Sequence, residues 1–244
     1  MIAVLAAWIG AARADEPEPS YPSSPPISID DAETVEAGHA EINLTAGGTV
    51  GRDGWELEAP LVDANLGLTS NIHVNAEMPL AFAGGTSPTA IGLGQAAVAV
   101  KWRLLHRDRV QIALHPAVEL PPIPGVAAAP SGRPSLTLPV VVDLAVGPSG
   151  AGVGLELAHT FTGTWVDDGW QAMAGFATPL SDGTALMFDY AQEAGATGVL
   201  GEGWFEAGLV HERLFGSEHL TLLASLGRST EARSAAMIGV QVGI

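Results

Sequence analysis

DANLGLTSNIHVNAEMPL, residues Asp63–Leu80, reads as a strand, a three-residue turn and a second strand. Leu66 and Leu68 lead into Thr69-Ser70-Asn71, and the chain leaves through Ile72, Val74, Ala76 and Met78. Those apolar residues alternate with Asn71, His73, Asn75 and Glu77, and a period of two puts each set on its own face of a sheet. Outward from this hairpin the unit recurs. From Glu36 onward there are about twelve alternating segments divided by turn signals. The reading is an all-β fold: a transmembrane antiparallel up-and-down β-barrel of about twelve strands, its polar face turned inward.

Composition supports this. The chain is 47% hydrophobic with a mean hydropathy of +0.27, yet downstream of residue 14 no run approaches the roughly 18 unbroken apolar residues of a membrane helix. Apolar content without an apolar run is what alternating strands produce. Thirty glycines and seventeen prolines argue against a helical bundle. With no cysteine there is no disulfide framework and no thiolate metal site. The net charge of −17 has the wrong sign for nucleic-acid binding.

The chain opens on an apolar segment, Ile2–Gly10, followed by Ala12-Arg13-Ala14 and acidic Asp15-Glu16. A short apolar core before an A-x-A site is the anatomy of a secretory signal peptide, expected over 1–14 with cleavage after Ala14. The missing basic n-region points to a translation start upstream of Met1. Residues 15–35 are expected to be a periplasmic leader, since the Pro- and Ser-rich Pro17–Pro26 should pack no core. The barrel is expected over 36–244, in the bacterial outer membrane.

Alternating the connections between the two ends sorts them by type. Gly51–Gly54, Ala83–Ile91, Pro121–Pro134, Asp167–Gly169, Gly195–Gly201 and Gly227–Ser234 fall at one end. Mostly tight turns at Thr69, His106, Pro148, Ser181 and Phe215 fall at the other, the outer-membrane pattern with both termini in the periplasm. Trp55, Trp165, Trp170 and Trp204 gather near the long-loop rim, with Trp102 and Phe215 near the other. A charge at mid-bilayer on the lipid face costs roughly 2–4 kcal/mol. Glu41, Asp63, Glu77, Lys101, Arg103, Glu119, Asp143, Glu156, Asp189 and Glu206 are therefore expected to point into the lumen. A β-sandwich also alternates, but the export signal and strand count favour the barrel.

AEINLTAG, VDANLGLTSNIHVNAEMPL, AVAVKWRLL and HPAVELP resemble, in this order, the outer-membrane transporters named for the meta-pathway of phenol degradation. The likeness covers roughly Glu33–Val146 and rests on Asp63, Gly67, Pro79, Lys101, Arg103, Pro116, Glu119 and Pro121. It implies a passive barrel passing small, aromatic or apolar molecules, with outer-membrane lipid and the barrel-assembly machinery as partners. The chain departs from the usual assembly signal by ending on Ile244 rather than an aromatic residue.

Among the inward residues, Asp63, Glu77, Lys101, Arg103, Glu119, Asp143 and Glu156 are the candidates for a charge network or a charge-selective constriction. Charges in so narrow a lumen must be paired, and rings of charge select permeants in pores. Pro116 and Pro139 fall almost opposite each other across the longest loop. Each lacks a ladder donor, so a local wall defect is expected there. That defect is either a harmless bend or a lateral exit. His39, His73 and His115 are placed on the inward face, at spacings that build no metal site. No cofactor is implied. An enzyme barrel acting on lipid and a plugged structural barrel remain the alternatives, although no His-x-Ser occurs in the chain.

Overall fold

A computed structural model describes residues 19–85, 89–121, 133–163 and 168–244. The expected signal peptide and Trp165 lie outside these residues. Fourteen strand segments, β1(Ala40–Val50), β2(Gly54–Thr69), β3(Ile72–Gly85), β4(Ala90–Leu93), β5(Ala96–Arg107), β6(Val110–Leu114), β7(Ala117–Leu120), β8(Ser135–Val146), β9(Ala151–Phe161), β10(Gly169–Ser181), β11(Thr184–Gly195), β12(Leu200–His211), β13(Leu220–Ser229) and β14(Ser234–Gly243), form one antiparallel sheet. Because β4 continues into β5 and β6 into β7, they make twelve staves. The sheet closes where β1 pairs with β14, from Glu41↔Gly243 to Val50↔Ser234. Closure leaves no free edge, the condition for crossing lipid with strands.

The alternation seen in the sequence becomes the two faces of this wall. Leu44, Leu66, Leu68, Met78, Val98, Trp102, Leu157 and Ile238 stand exposed on the outside, while Asn43, Asp63, His73, Lys101, Asp143, Glu156 and Asp189 are buried on the inside. At mid-height the staves carry their charges inward because an outward charge there would meet hydrocarbon.

Several boundaries differ from the sequence reading. β3 runs through Gly85 and β4 begins at Ala90, so the expected loop Ala83–Ile91 is mostly strand. Gly227 and Arg228 likewise belong to β13, and β12 begins at Leu200. Glycine and serine gave turn signals at those places, but paired neighbours override local propensity in a closed sheet. Trp204 points inward against Arg233, 5.5 Å from ring centroid to guanidinium, and so leaves the expected girdle. His39 precedes β1 and lies exposed beside Glu36 rather than on an inward strand face.

The largest correction concerns the leader. Residues 20–35 pack a core: Tyr21, Ile27, Ile29 and Ala32 are buried, Ile29 and Ala32 completely. This strap enters at the tight-turn end, where Ser20 N–H donates to Gly150 O at 2.8 Å. It crosses the lumen and returns to the same end, where Gly38 N–H donates to Gly67 O at 2.9 Å. Proline and serine prevented regular structure, as their composition implies, but apolar residues interleaved among them found a surface inside the barrel.

Candidate functional site

What makes room for the strap is a row of residues across the far wall. In register, Gln111, Asp143, Gly154, Gly175, Asp189, Glu206 and Gly227 are successive ladder partners, all facing the lumen. The glycines are the floor. A Cβ on Gly154 would lie 2.7 Å from Pro22 Cγ, and one on Gly175 would lie 3.0 Å from both Pro22 and Ile29. The acids are the fastenings. Asp189 Oδ2 accepts the Ile29 N–H at 2.9 Å, Glu156 Oε2 that of Asp30 at 3.0 Å, and Asp143 Oδ2 that of Ala32 at 2.6 Å. Ser28 donates its hydroxyl proton to Glu206. Ile27 and Ile29 pack on Met173, Ala177, Met187 and Ala191, while Ala32 packs on Ala113 and Val141. A fully buried isoleucine contributes about 1.5–3 kcal/mol. Among the described residues the strap has no ladder beyond the bridge Ser20↔Ala151, so side-chain burial and carboxylate acceptors hold it.

Lys101 is the hub of the opposite side. Its Nζ lies 2.7 Å from Asp30 Oδ1 and 3.4 Å from Asp31 Oδ1, and His115 Nδ1 lies 2.5 Å from Asp30 Oδ2. His73 Nδ1 accepts the Val35 N–H at 3.1 Å, and Gln111 Nε2 donates to Glu33 at 3.3 Å. Desolvation pushes the Asp30 carboxyl up, but the Lys101 ammonium and His115 outweigh it and hold it well below the usual carboxylate range. Asp31 is raised by desolvation and by the neighbouring Asp30 charge, against the pull of Lys101. Burial likewise raises Glu33.

The candidate residues thus form two groups. Lys101, Asp143 and Glu156 meet through the strap. Asp63 belongs to a separate cluster, accepting from Asn43 at 2.8 Å, Asn65 at 3.2 Å, and Asn75. Glu77 pairs with Asp63 in register, and Glu119 accepts from Gln95 at 2.7 Å and Ser135 at 2.6 Å. Arg103 donates to the Ser70 carbonyl at the β2–β3 turn and reaches the strap only through its charge, which acts on Glu33. The strap partners Asp30, Asp31, His73, His115 and Gln111 were not singled out as site residues in the sequence. Their signal was the inward Gly-and-acid row, legible only once the register is known. Among the described residues, no three His, Asp or Glu side chains are placed to hold a metal ion.

The strap crosses the lumen and leaves a cavity of about 1520 Å³ around it. Among the described residues, thirteen carboxyl side chains line that cavity, including Glu41, Glu58, Asp63, Glu77 and Glu119, against one ammonium, Lys101. The wall beside Lys101 carries the proline defect. His115 and Pro116 separate β6 from β7; His115 N–H donates to Pro139 O at 3.2 Å and Val100 N–H to Pro116 O at 3.0 Å. Neither proline returns the second bond of its pair, so this stave loses one ladder bond on each seam.

No family model and no curated protein matches the chain. Solved structures share its fold. An outer membrane channel from Pseudomonas putida F1 superposes with a TM-score of 0.69 at 11% identity, over 89% of this chain and all of that one. The KdgM porin, in complex with disordered oligogalacturonate, gives 0.60 at 9% identity over 83% of this chain and 98% of its own. The translocator domain of the autotransporter NalP from Neisseria meningitidis gives 0.55 at 14% identity, covering 86% and 89%. At these identities the likeness is one of fold alone, a closed antiparallel β-barrel.

Proposed function

We propose that this chain is a passive channel of the bacterial outer membrane for small molecules, narrowed by its own N-terminal strap. The observation that carries the reading is the acidic cavity running beside the strap inside a closed wall. Its charge sets a preference: carboxylates lining a passage favour cations over anions. The fold's neighbours named as channel and porin support the class but not a substrate. The resemblance to the meta-pathway transporters supports an aromatic or apolar permeant, for which the doubly weakened seam at Pro116 and Pro139 is the candidate lateral exit. No step in this reading calls for a catalytic residue.

A second reading is favoured by one observation, the dense packing of the strap: a plugged barrel, shut at rest. Conductance of the refolded protein in planar bilayers separates the two. The channel reading expects discrete, cation-selective openings, with selectivity sharpened in Lys101→Ala and little changed in Arg103→Ala, which lies off the cavity. A correctly folded but silent barrel overturns the open channel and leaves the plugged one.

A further inference from the structure

Arginine 228 sits on the wrong face. In β13, Leu223, Ser225 and Ser229 are buried toward the lumen, so Leu226 and Arg228 point to the lipid. Arg228↔Ser234 is the last ladder pair before the turn into β14, at the rim with the longer loops. An outward basic residue costs far less near an interface than at mid-bilayer, so the rim tolerates the residue without explaining it.

Below Arg228 the outer surface is cut away. Phe188, Ala207, Leu226 and Ala236 are successive ladder partners, and so are Tyr190, Phe205, Arg228 and Ser234. With an alanine on either side of Leu226, Leu226 and Phe205 stand 69% and 58% exposed, among the most exposed apolar side chains in the strands. The result is an outward groove of about 410 Å³ lined by the outward side chains of Phe188, Phe205, Ala207, Leu226 and Arg228, with the lumen-facing positions Asp189, Glu206 and Gly227 at its base. One wall is stiffened by Tyr190 stacked on Phe205, ring centroids 4.5 Å apart. At its head the Arg228 guanidinium spends one N–H on the Ser234 hydroxyl at 2.5 Å, and the fork has further donors.

We infer that this groove binds a phosphate-bearing glycolipid of the outer leaflet, one acyl chain between Phe188 and Leu226 over Ala207 and the phosphate on Arg228. The chemistry is complementary at both ends: a slot of apolar walls at acyl depth, and a fork-shaped cation where lipid phosphates lie. Charge argues for an anionic headgroup over a zwitterionic one, because Arg228 is a cation facing lipid in a chain of net charge −17. The inference rests on the outer-membrane reading above, but not on conduction.

The test is lipid retention by native mass spectrometry, with folded barrels held in vesicles containing lipid A, phosphatidylethanolamine, or phosphatidylethanolamine with added inorganic phosphate. Wild type is expected to retain one lipid A per barrel. Arg228→Gln, which removes the charge, and Ala207→Leu, which fills the slot, should each lower retention about tenfold, the scale of a charge-assisted hydrogen bond or a lost acyl contact. Arg213→Gln, at the opposite end beside Asp182, should change nothing. Retention equal in wild type and Arg228→Gln overturns the site, as does phosphatidylethanolamine retained as well as lipid A. Unchanged lipid A retention in a barrel that proves silent in bilayers would sink the channel reading alone.

Discussion

Replacing Asp30 with asparagine tests whether the strap is held by charge. Asp30 takes Lys101 on one oxygen at 2.7 Å and His115 on the other at 2.5 Å, and Lys101 is only 5% exposed. Removing one partner of a buried ion pair costs about 3–5 kcal/mol when the other charge is stranded. Here Asp31 stays 3.4 Å from the ammonium, and an amide oxygen still accepts a hydrogen bond. The expected loss is therefore smaller, about 2–4 kcal/mol. It falls on the strap alone, since Asp30 makes no ladder bond. A strap weakened by that much is undocked tens to hundreds of times more often. Two measurements read this: the rate at which protease cuts residues 20–35 in folded barrels, and the frequency of large conductance steps. Both should rise in Asp30→Asn, while the barrel's own unfolding in urea should move little. The Asp30→Asn, Asp31→Asn, Lys101→Met triple variant should recover part of the loss, because neither the ammonium nor the Asp31 carboxylate is then stranded. Equal cleavage and equal conductance in wild type and Asp30→Asn would refute the electrostatic latch. The strap would then be held by Ile27, Ile29 and the backbone acceptors.

Three further outcomes are expected. Gly208→Val places a Cβ 2.7 Å from Ile27 Cγ2 and 2.9 Å from Pro26 Cγ; overpacking of that kind costs about 1–3 kcal/mol and should speed strap cleavage, whereas Gly243→Val, with nothing near its Cβ, should not. Pro116→Val with Pro139→Val restores a donor on each seam of the β6–β7 stave; unfolding in urea should slow, and uptake of an apolar probe by cells should drop if the seam is an exit, so undiminished uptake removes that role. The pH dependence of strap docking has two signs. Asp30 is held low, so its contribution is present above its unfolded value of about 3.8 and is lost as pH falls through still lower values. Asp31 is raised, so its proton favours docking, and that contribution fades as pH rises through its folded value; Asp31→Asn should therefore protect the strap from protease at neutral pH and make no difference at pH 3.

Much of this molecule is written as alternation. Each stave declares which residues face lipid because hydrocarbon refuses Glu77 or Asp143 whatever their neighbours are. A two-residue period survives any error in strand length, so the barrel, its inward charges and the weak point at Pro116 and Pro139 could be read locally. Strand ends could not: Ala83–Gly85 and Gly227–Arg228 look like turn, and only a paired neighbour keeps them extended.

The strap is the case where local reading fails. Tyr21, Ile27, Ile29 and Ala32 are too few and too irregularly spaced to announce a core, because the surface they pack on is supplied by strands far along the chain, from Ala113 to Ala191. Gly154, Gly175, Asp189 and Glu206 are spread over four staves and line up only when register is set by closure. Lys101 was legible as an inward charge needing a partner, but not that the partners would be Asp30 and Asp31. Sequence alone determines which side of the wall most strand residues face, since that depends on the residue and its period; Trp204 and Arg228 are the exceptions. Which inward groups meet depends on shear and closure of the whole sheet, and that was decided by the tertiary structure.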